Sequence, residues 1–378
     1  MKQLEGNVSN LRNSIFGRIT SKSTLPFLPN KSILLFLRKG GWIFGKYAAI
    51  LNKSPNPLTT RIPQVYNVTN ADLLCEGDIV LIEPNGKIQV LIEKNSDNNC
   101  LFLTNRCNCS CVMCPQPKSG EGVDQGEISY DLIGLMDRQS KYLGLTGGEP
   151  TLLGDKLLDI IRCCKRRLPN TRLELLTNGI KFEDFDYVKR LARISHNKLY
   201  FEIPLYADID SLHDQIIGTK GFFKTIKGIY NLALFNQKIN IRVVIHKLNY
   251  KRLPYLADFI YHNFPFVFHI AFMQMEIFGM ARKNISELWI DPFDYNEQLR
   301  EAIMYLYLRD MEVSIYNAQL CVLPTELRRF ARKSISGWKN IYLNECDECL
   351  CKQECGGFFA SSESIHSRHI SAIKDLDN

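Results

Sequence analysis

From residue 98 onward the apolar positions alternate between two periods. Short β-rich runs at residues 100–104, 142–146, 173–177, 199–205, 241–245 and 266–273 are separated by stretches with helical spacing, among them 156–168, 185–194, 222–235 and 253–263. This alternation predicts a parallel sheet with crossover helices. Six such units are fewer than the eight of a closed barrel, so the expected fold class is α/β, a partial (β/α)6 TIM-type barrel with its chemistry at the C-terminal ends of the strands. A further helix around 295–308 and a short strand at 313–316 follow before the alternation stops.

Residues 1–97 read as a small N-terminal β-containing domain. Its clearest feature is a hairpin of residues 79–82 against 88–92 across Pro84-Asn85-Gly86, where Asn-Gly is expected to supply the positive φ angles of a tight turn. Residues 25–63 carry many prolines and glycines and define no element. The expected division is therefore 1–97, 98–318 and 319–378, the last a cysteine-rich tail organised by metal.

Composition narrows the class. With 378 residues, 45% hydrophobic and 23% charged, disorder, collagen-like repeats and a disulfide-dense miniprotein are excluded. The longest uncharged apolar stretches, such as 33–37 and 264–273, fall short of the roughly 20 residues a membrane helix needs. Met1-Lys2-Gln3-Leu4-Glu5 leads into polar residues, so no secretory signal is expected and the cytoplasm is the default compartment. The net charge of +7 sits in residues 1–60, where nine Lys/Arg face the single acid Glu5. That basic arm is either simply solvated or suited to an acidic peptide, a nucleic acid or a membrane surface.

In a reducing compartment the 13 cysteines point to metal or catalysis rather than to disulfides. Cys163 and Cys164 fall in a helical stretch as buried thiols, and Cys75 and Cys100 read as ordinary core positions. Cys107, Cys111 and Cys114 have the spacing C-x3-C-x2-C directly after the first barrel strand. Structural zinc usually takes two separated pairs of ligands. Three thiolates on one loop suit instead a cubane iron-sulfur cluster with one iron free of protein ligands, where a substrate can bind. Cys109 leaves open a four-thiolate closed site, and zinc stands as the alternative metal.

At the end of the second predicted strand stands Leu145-Thr146-Gly147-Gly148-Glu149-Pro150, two glycines that let backbone approach a ligand and a carboxylate able to meet an amino group. One β/α unit after C-x3-C-x2-C, this segment makes residues 98–318 resemble the radical S-adenosylmethionine (radical SAM) superfamily. The resemblance implies that Cys107, Cys111 and Cys114 hold a 4Fe-4S cluster whose unique iron chelates S-adenosyl-L-methionine. Gly147, Gly148 and Glu149 would line the site of its amino group, and the chemistry would be reductive cleavage to a 5′-deoxyadenosyl radical. Asn178, in Thr177-Asn178-Gly179, and Asn249 stand where family members shape the nucleoside pocket, though each also reads as strand-end turn chemistry. His213-Asp214 is expected to cap a helix and takes no catalytic role.

In the tail, Cys346-x2-Cys349-x5-Cys355 forms a three-cysteine knuckle that Cys321 closes to four, with Cys351 as an alternative ligand to Cys355. The set resembles the shortened auxiliary-cluster (twitch/SPASM-like) module of radical SAM enzymes. It implies a second 4Fe-4S cluster that serves as electron conduit or fold staple, with a zinc knuckle as the other reading. Residues 101–117, Gln274-Met275-Glu276 through Asp291-Pro292, and 321–359 together resemble the radical SAM maturase of the His-Xaa-Ser repeat system. That resemblance implies a substrate peptide and a partner radical SAM maturase; a low-potential electron donor of the flavodoxin or ferredoxin type is expected beside them, and no membrane or nucleic-acid partner is expected. His369-Ile370-Ser371 fits the triplet by chance in a polar tail. Two competing readings remain: a radical SAM enzyme acting on a small molecule, and a zinc-stabilised nucleic-acid-binding protein that uses the basic arm.

Overall fold

The computed structural model describes residues 3–21, 33–36, 47–52, 62–116 and 124–375. Of the basic residues in the N-terminal arm only Arg12 and Arg18 fall within it. Most of 25–63, and the end of the apolar stretch 33–37, lie outside the described residues.

The N-terminal region builds a sheet from β1 (Gln3–Glu5), β2 (Asn7–Ser9), β3 (Ile15–Thr20), β4 (Ile33–Phe36), β5 (Ala49–Asn52), β6 (Gln64–Tyr66), β7 (Ile79–Ile82) and β8 (Lys87–Ile92), ordered β1-β8-β7-β3-β4-β5-β6-β2. On β8, Ile88, Val90 and Ile92 are buried while the residues between them are half-buried, the two-residue period of a strand with one face on a core. That core gathers Leu4, Ile19, Leu34, Leu51, Val65 and Val80.

The hairpin forms at the expected residues, with Ile82 opposite Ile88, but its turn differs from expectation. Only Gly86 takes a positive φ, +89°, and its N–H donates to the Glu83 carbonyl at 2.9 Å. The Pro84 ring fixes its own φ near −65°, which bars the first position of a type I′ turn. The result is a three-residue loop with glycine at its left-handed position.

The second sheet comprises β9 (Cys100–Phe102), β10 (Tyr142–Thr146), β11 (Arg172–Leu176), β12 (Leu199–Pro204), β13 (Lys238–Ile245), β14 (His269–Gln274), β15 (Val313–Tyr316) and β16 (Ala331–Arg332), paired strictly in chain order. The pairs from β11 through β16 are parallel. The crossovers carry α1 (Gly126–Leu135), α2 (Asp155–Arg167), α3 (Phe185–Ala192), α4 (Asp210–Ile217), α5 (Phe222–Leu234), α6 (Leu253–Asn263), α7 (Met280–Lys283), α8 (Ile285–Leu288) and α9 (Asn296–Tyr307), and α10 (Thr325–Arg328) precedes β16. The α/β alternation and the parallel sheet are therefore as the sequence predicts. β13 begins three residues earlier than expected because Lys238, Ile239 and Asn240 also pair with β12.

Strand periodicity separates two faces of this sheet. Ile239, Ile241, Val243 and Ile245 are buried on one side of β13. The other side mixes apolar residues such as Val244 and Met273 with polar groups: Asn240 Nδ2 donates to Glu202 at 2.5 Å, His269 meets Ser314 at 3.0 Å, and Arg242 reaches the Met273 sulfur at 3.3 Å.

Beyond β16, a small antiparallel pair of β17 (Asn340–Ile341) and β18 (Phe358–Phe359) brackets Cys346, Cys349, Cys351 and Cys355. Cys163 and Cys164 are buried as expected, whereas Cys75 and Cys100 are exposed. Cys75 opens a turn whose N–H is taken by the Asp78 carboxylate, and Cys100 occupies an outward position on β9. By proximity the chain divides into one unit of residues 1–101, 126–144 and 160–172 and another of 102–125, 145–159 and 173–378. Among the described residues no helix is long and apolar enough to cross a membrane.

Candidate functional site: two cysteine loops

The loop after β9 is clamped from four directions. Its start is stapled by the glycine-rich segment: Gly148 N–H donates to the Thr104 carbonyl and Glu149 N–H to the Arg106 carbonyl, each at 2.7 Å. A Cβ on Gly148 would overlap the Arg106 carbonyl, so glycine is needed here for backbone to approach backbone. Its middle is held by the end of α4, with Ser110 N–H on the Ile217 carbonyl at 2.8 Å and Val112 N–H on the Ile216 carbonyl at 3.0 Å. Near its end, Met280 N–H donates to the Cys114 carbonyl at 2.8 Å and Asn284 Nδ2 to the Val112 carbonyl at 2.8 Å.

Glu149 and Asn178 complete the clamp. The Glu149 side chain is 1% exposed and accepts four bonds: from Thr151 N–H at 3.0 Å, Thr151 Oγ1 at 2.6 Å, Thr177 Oγ1 at 2.7 Å and Asn178 N–H at 2.6 Å. Burial pushes its carboxyl pKa up, and the four donors pull against that. Asn178 Nδ2 in turn donates to Asn108 Oδ1 at 2.7 Å and to the Cys109 sulfur at 3.3 Å. The structure thus joins Gly148, Glu149 and Asn178 in one network that ends on the cysteine loop. Asn249, buried, caps the turn after β13 through His246 N–H at 2.9 Å. Asp214 accepts from Gly221 and Phe222 N–H at 2.9 and 2.8 Å, which caps α5.

On the loop, Cys107, Cys111 and Cys114 are half-buried and Cys109 is buried. Hydrogen bonds with Cys107 and Cys111, together with burial, push the Cys109 thiol up, which keeps it protonated between them. Cys114 Sγ lies 3.0 Å from the Gln116 carbonyl. Among the described residues no three Cys, His, Asp or Glu side chains are already gathered as a metal cage. The donor chemistry nonetheless fits a thiophilic cluster: three half-buried thiols share one rigid loop, and Cys111 and Cys114 open onto a cavity of about 370 Å³.

That cavity lies at the C-terminal ends of β13 and β14. Its walls include Tyr206, Val244, Met273 and Met275, and its charges are Arg242 and the pair Glu276–Lys339, bonded at 2.8 and 3.0 Å. Burial, and then the neighbouring Cys111, raise the Tyr206 hydroxyl far above its ordinary pKa, so it is a neutral group beside the thiols. Tyr206, Arg242 and Lys339 escape sequence reasoning. Arg242 does carry a signal, as the single cation inside the apolar run 239–245.

The tail cysteines form a second group. Cys321, Cys346 and Cys349 are half-buried with Cys355, and the electrostatic neighbours of Cys321 are Cys355, Cys346 and Cys349. Backbone N–H groups point at these sulfurs: Leu320 and Gly357 at 3.5 Å from Cys355, and Ile373 at 3.4 Å from Cys349. Such donors favour thiolates and fit a metal-bound set. Cys351 is buried in an apolar cluster with Leu320 and Ile373.

Residues 101–260 match the Radical SAM superfamily. The chain is 28% identical over 172 residues to the tungsten-containing aldehyde ferredoxin oxidoreductase cofactor-modifying protein of Pyrococcus furiosus, covering 42% of this chain and 47% of that protein. It is 27% identical over 209 residues to the sporulation killing factor maturation protein SkfB of Bacillus subtilis, covering 53% and 48%. These matches span about half the length of each relative. Among solved structures, Streptococcus suis SuiB bound to precursor peptide SuiA aligns at 16% identity and a TM-score of 0.48, over 63% of this chain and 52% of that one.

Proposed function

We propose that the chain, whose residues 101–260 match the Radical SAM superfamily, is a peptide maturase: a radical SAM enzyme that modifies a ribosomally made peptide of the His-Xaa-Ser repeat type. The observation that carries the enzymatic part is the clamped loop of Cys107, Cys111 and Cys114, two of whose thiols open onto the cavity at the strand ends. When bound there, a 4Fe-4S cluster with S-adenosyl-L-methionine supplies one-electron cleavage to a 5′-deoxyadenosyl radical, the reagent for abstracting hydrogen from an unactivated carbon.

The chain's own residues then have distinct tasks. Cys107, Cys111 and Cys114 ligate the cluster. Gly147, Gly148, Glu149 and Asn178 border the S-adenosylmethionine pocket by fixing the loop against the strand ends, while the apolar wall of Met273, Val244 and Met275 excludes water. Cys321, Cys346, Cys349 and Cys355 hold the auxiliary 4Fe-4S cluster; Cys355, with Cys346 and Cys349, is the electrostatic neighbour of Cys321, which favours it as the fourth ligand. A low-potential flavodoxin or ferredoxin delivers the electron, and a second radical SAM maturase is the expected partner.

The maturation protein among the relatives supports the peptide substrate, and the cofactor-modifying protein supports a second reading, a small-molecule substrate. The two separate when 5′-deoxyadenosine release is measured with and without a synthetic His-Xaa-Ser repeat peptide. The peptide reading expects stimulated release together with a mass change in the peptide. An unmodified peptide and unstimulated release would transfer the assignment to the small-molecule reading.

A further inference from the structure

Residues 367–375 run past the tail cysteines without helix or strand of their own, yet they are fixed at both ends. At the first end, Ser367 is buried, Arg368 N–H donates to the buried Asp291 carboxylate at 3.1 Å, and the His369 ring stacks on Phe293 at 3.8 Å and 17°. At the other, Leu350 N–H donates to the Ile373 carbonyl at 2.9 Å, Lys374 pairs with Glu348 at 2.8 Å, and Ile373 is buried with Leu320 and Cys351. Between these anchors the segment turns its backbone toward sulfur. Ile373 N–H lies 3.4 Å from Cys349 Sγ, and the Ser371 backbone is a polar neighbour of Cys321.

We propose that residues 367–375 are a positioning strap for the four-cysteine site, in which the N–H groups of Ser371 and Ile373 hold Cys321 and Cys349 as ligands and tune the metal centre. The proposal rests on the reading that Cys321, Cys346, Cys349 and Cys355 bind metal. An N–H donor to a ligand sulfur stabilises the more negative, reduced state of a cluster, so it raises the reduction potential and slows ligand loss.

The test uses the full chain in a Cys107/Cys111/Cys114→Ala background, which isolates the tail site. Its form with the native strap is compared with Ser371→Pro, Ser371→Ala and a form ending at Ser367, each reconstituted anaerobically with iron and sulfide. Metal content, the rate of metal release to a chelator and the midpoint potential are read for each. Ser371→Pro deletes one N–H and is expected to shift the midpoint to a more negative value and speed release by about 10–100-fold, the usual effect of losing a partner of a metal ligand. Ser371→Ala retains the N–H and is expected to match the native strap, and the shortened form is expected to lose the metal. Equal release rates and potentials in all four forms would overturn the strap, as would an Ser371→Ala effect equal to that of Ser371→Pro. A native-strap form with zinc in place of iron would refute the cluster while leaving the strap to be judged by zinc release. One that binds no metal would overturn both.

Discussion

Replacing Glu149 by glutamine tests the network that ties the glycine-rich segment to the cysteine loop. The carboxylate accepts three bonds on Oε1 and one on Oε2, all from groups in the protein. Glutamine can keep its carbonyl oxygen on the three-donor side, which turns its amide NH2 toward the Asn178 N–H and sets two donors face to face where a 2.6 Å bond stood. A bond to a charged group contributes about 1.5–3 kcal/mol, and a buried donor left unsatisfied costs about 1–3 kcal/mol. Relief of the buried charge offsets part of this, since burial disfavours the ionised carboxyl in the native state. The expected net loss is about 2 kcal/mol, read as a lower midpoint in urea unfolding with unchanged slope. Because Asn178 passes the strain to Asn108 and Cys109, the variant is also expected to load less iron at the loop. Stability equal to or above wild type would refute this reasoning, for it would mean that losing the Asn178 bond and setting two donors face to face costs nothing beyond what relief of the buried charge returns.

Other consequences are equally specific. Gly148→Ala places a methyl group against the Arg106 carbonyl and is expected to abolish iron loading at the Cys107 loop while the tail site still fills, measured as iron per chain. Burial lowers the pKa of His213 and of His246 from 6.5 to about 4, so between those values the unfolded chain binds protons that the native state does not. Stability is therefore expected to fall as pH drops from 6.5 to 4, by about 3 kcal/mol per histidine, and urea unfolding at pH 7, 5.5 and 4 checks it. Lys339→Met strands the Glu276 carboxylate in the cavity. If Glu276–Lys339 belongs to the substrate site, the variant alters turnover on the peptide while leaving iron content unchanged.

The barrel was legible because its strands are short apolar runs divided by helices with helical spacing. Residues 142–146 and 253–263 match their elements at both ends, since a glycine-rich loop and a proline at the second helical position mark the boundaries. The hairpin turn departs from the Asn-Gly pattern because the ring of Pro84 sets φ first, leaving the positive φ to Gly86 alone. Cys100 departs from the expected core position because a cysteine says little about its side of a strand until the pairing is known, and Cys75 because it opens a turn ahead of β7 and lies on no strand. The cysteine spacing found the loop, but spacing cannot say what Glu149 and Asn178 touch. Those bonds span 28 and 70 residues of sequence and exist only once the strand ends converge. Lys339 reaches the cavity from the tail, a meeting set by tertiary structure alone.

The central claim is that Cys107, Cys111 and Cys114 hold the cluster that cleaves S-adenosylmethionine. Anaerobic reconstitution of wild type beside the Cys107/Cys111/Cys114→Ala variant, with iron, sulfide and 5′-deoxyadenosine measured on both, tests it most directly. The account predicts about two 4Fe-4S clusters and cleavage for wild type, and about one cluster with no cleavage for the variant. Equal iron and equal cleavage in both, or wild type that takes up zinc and no iron, would contradict it.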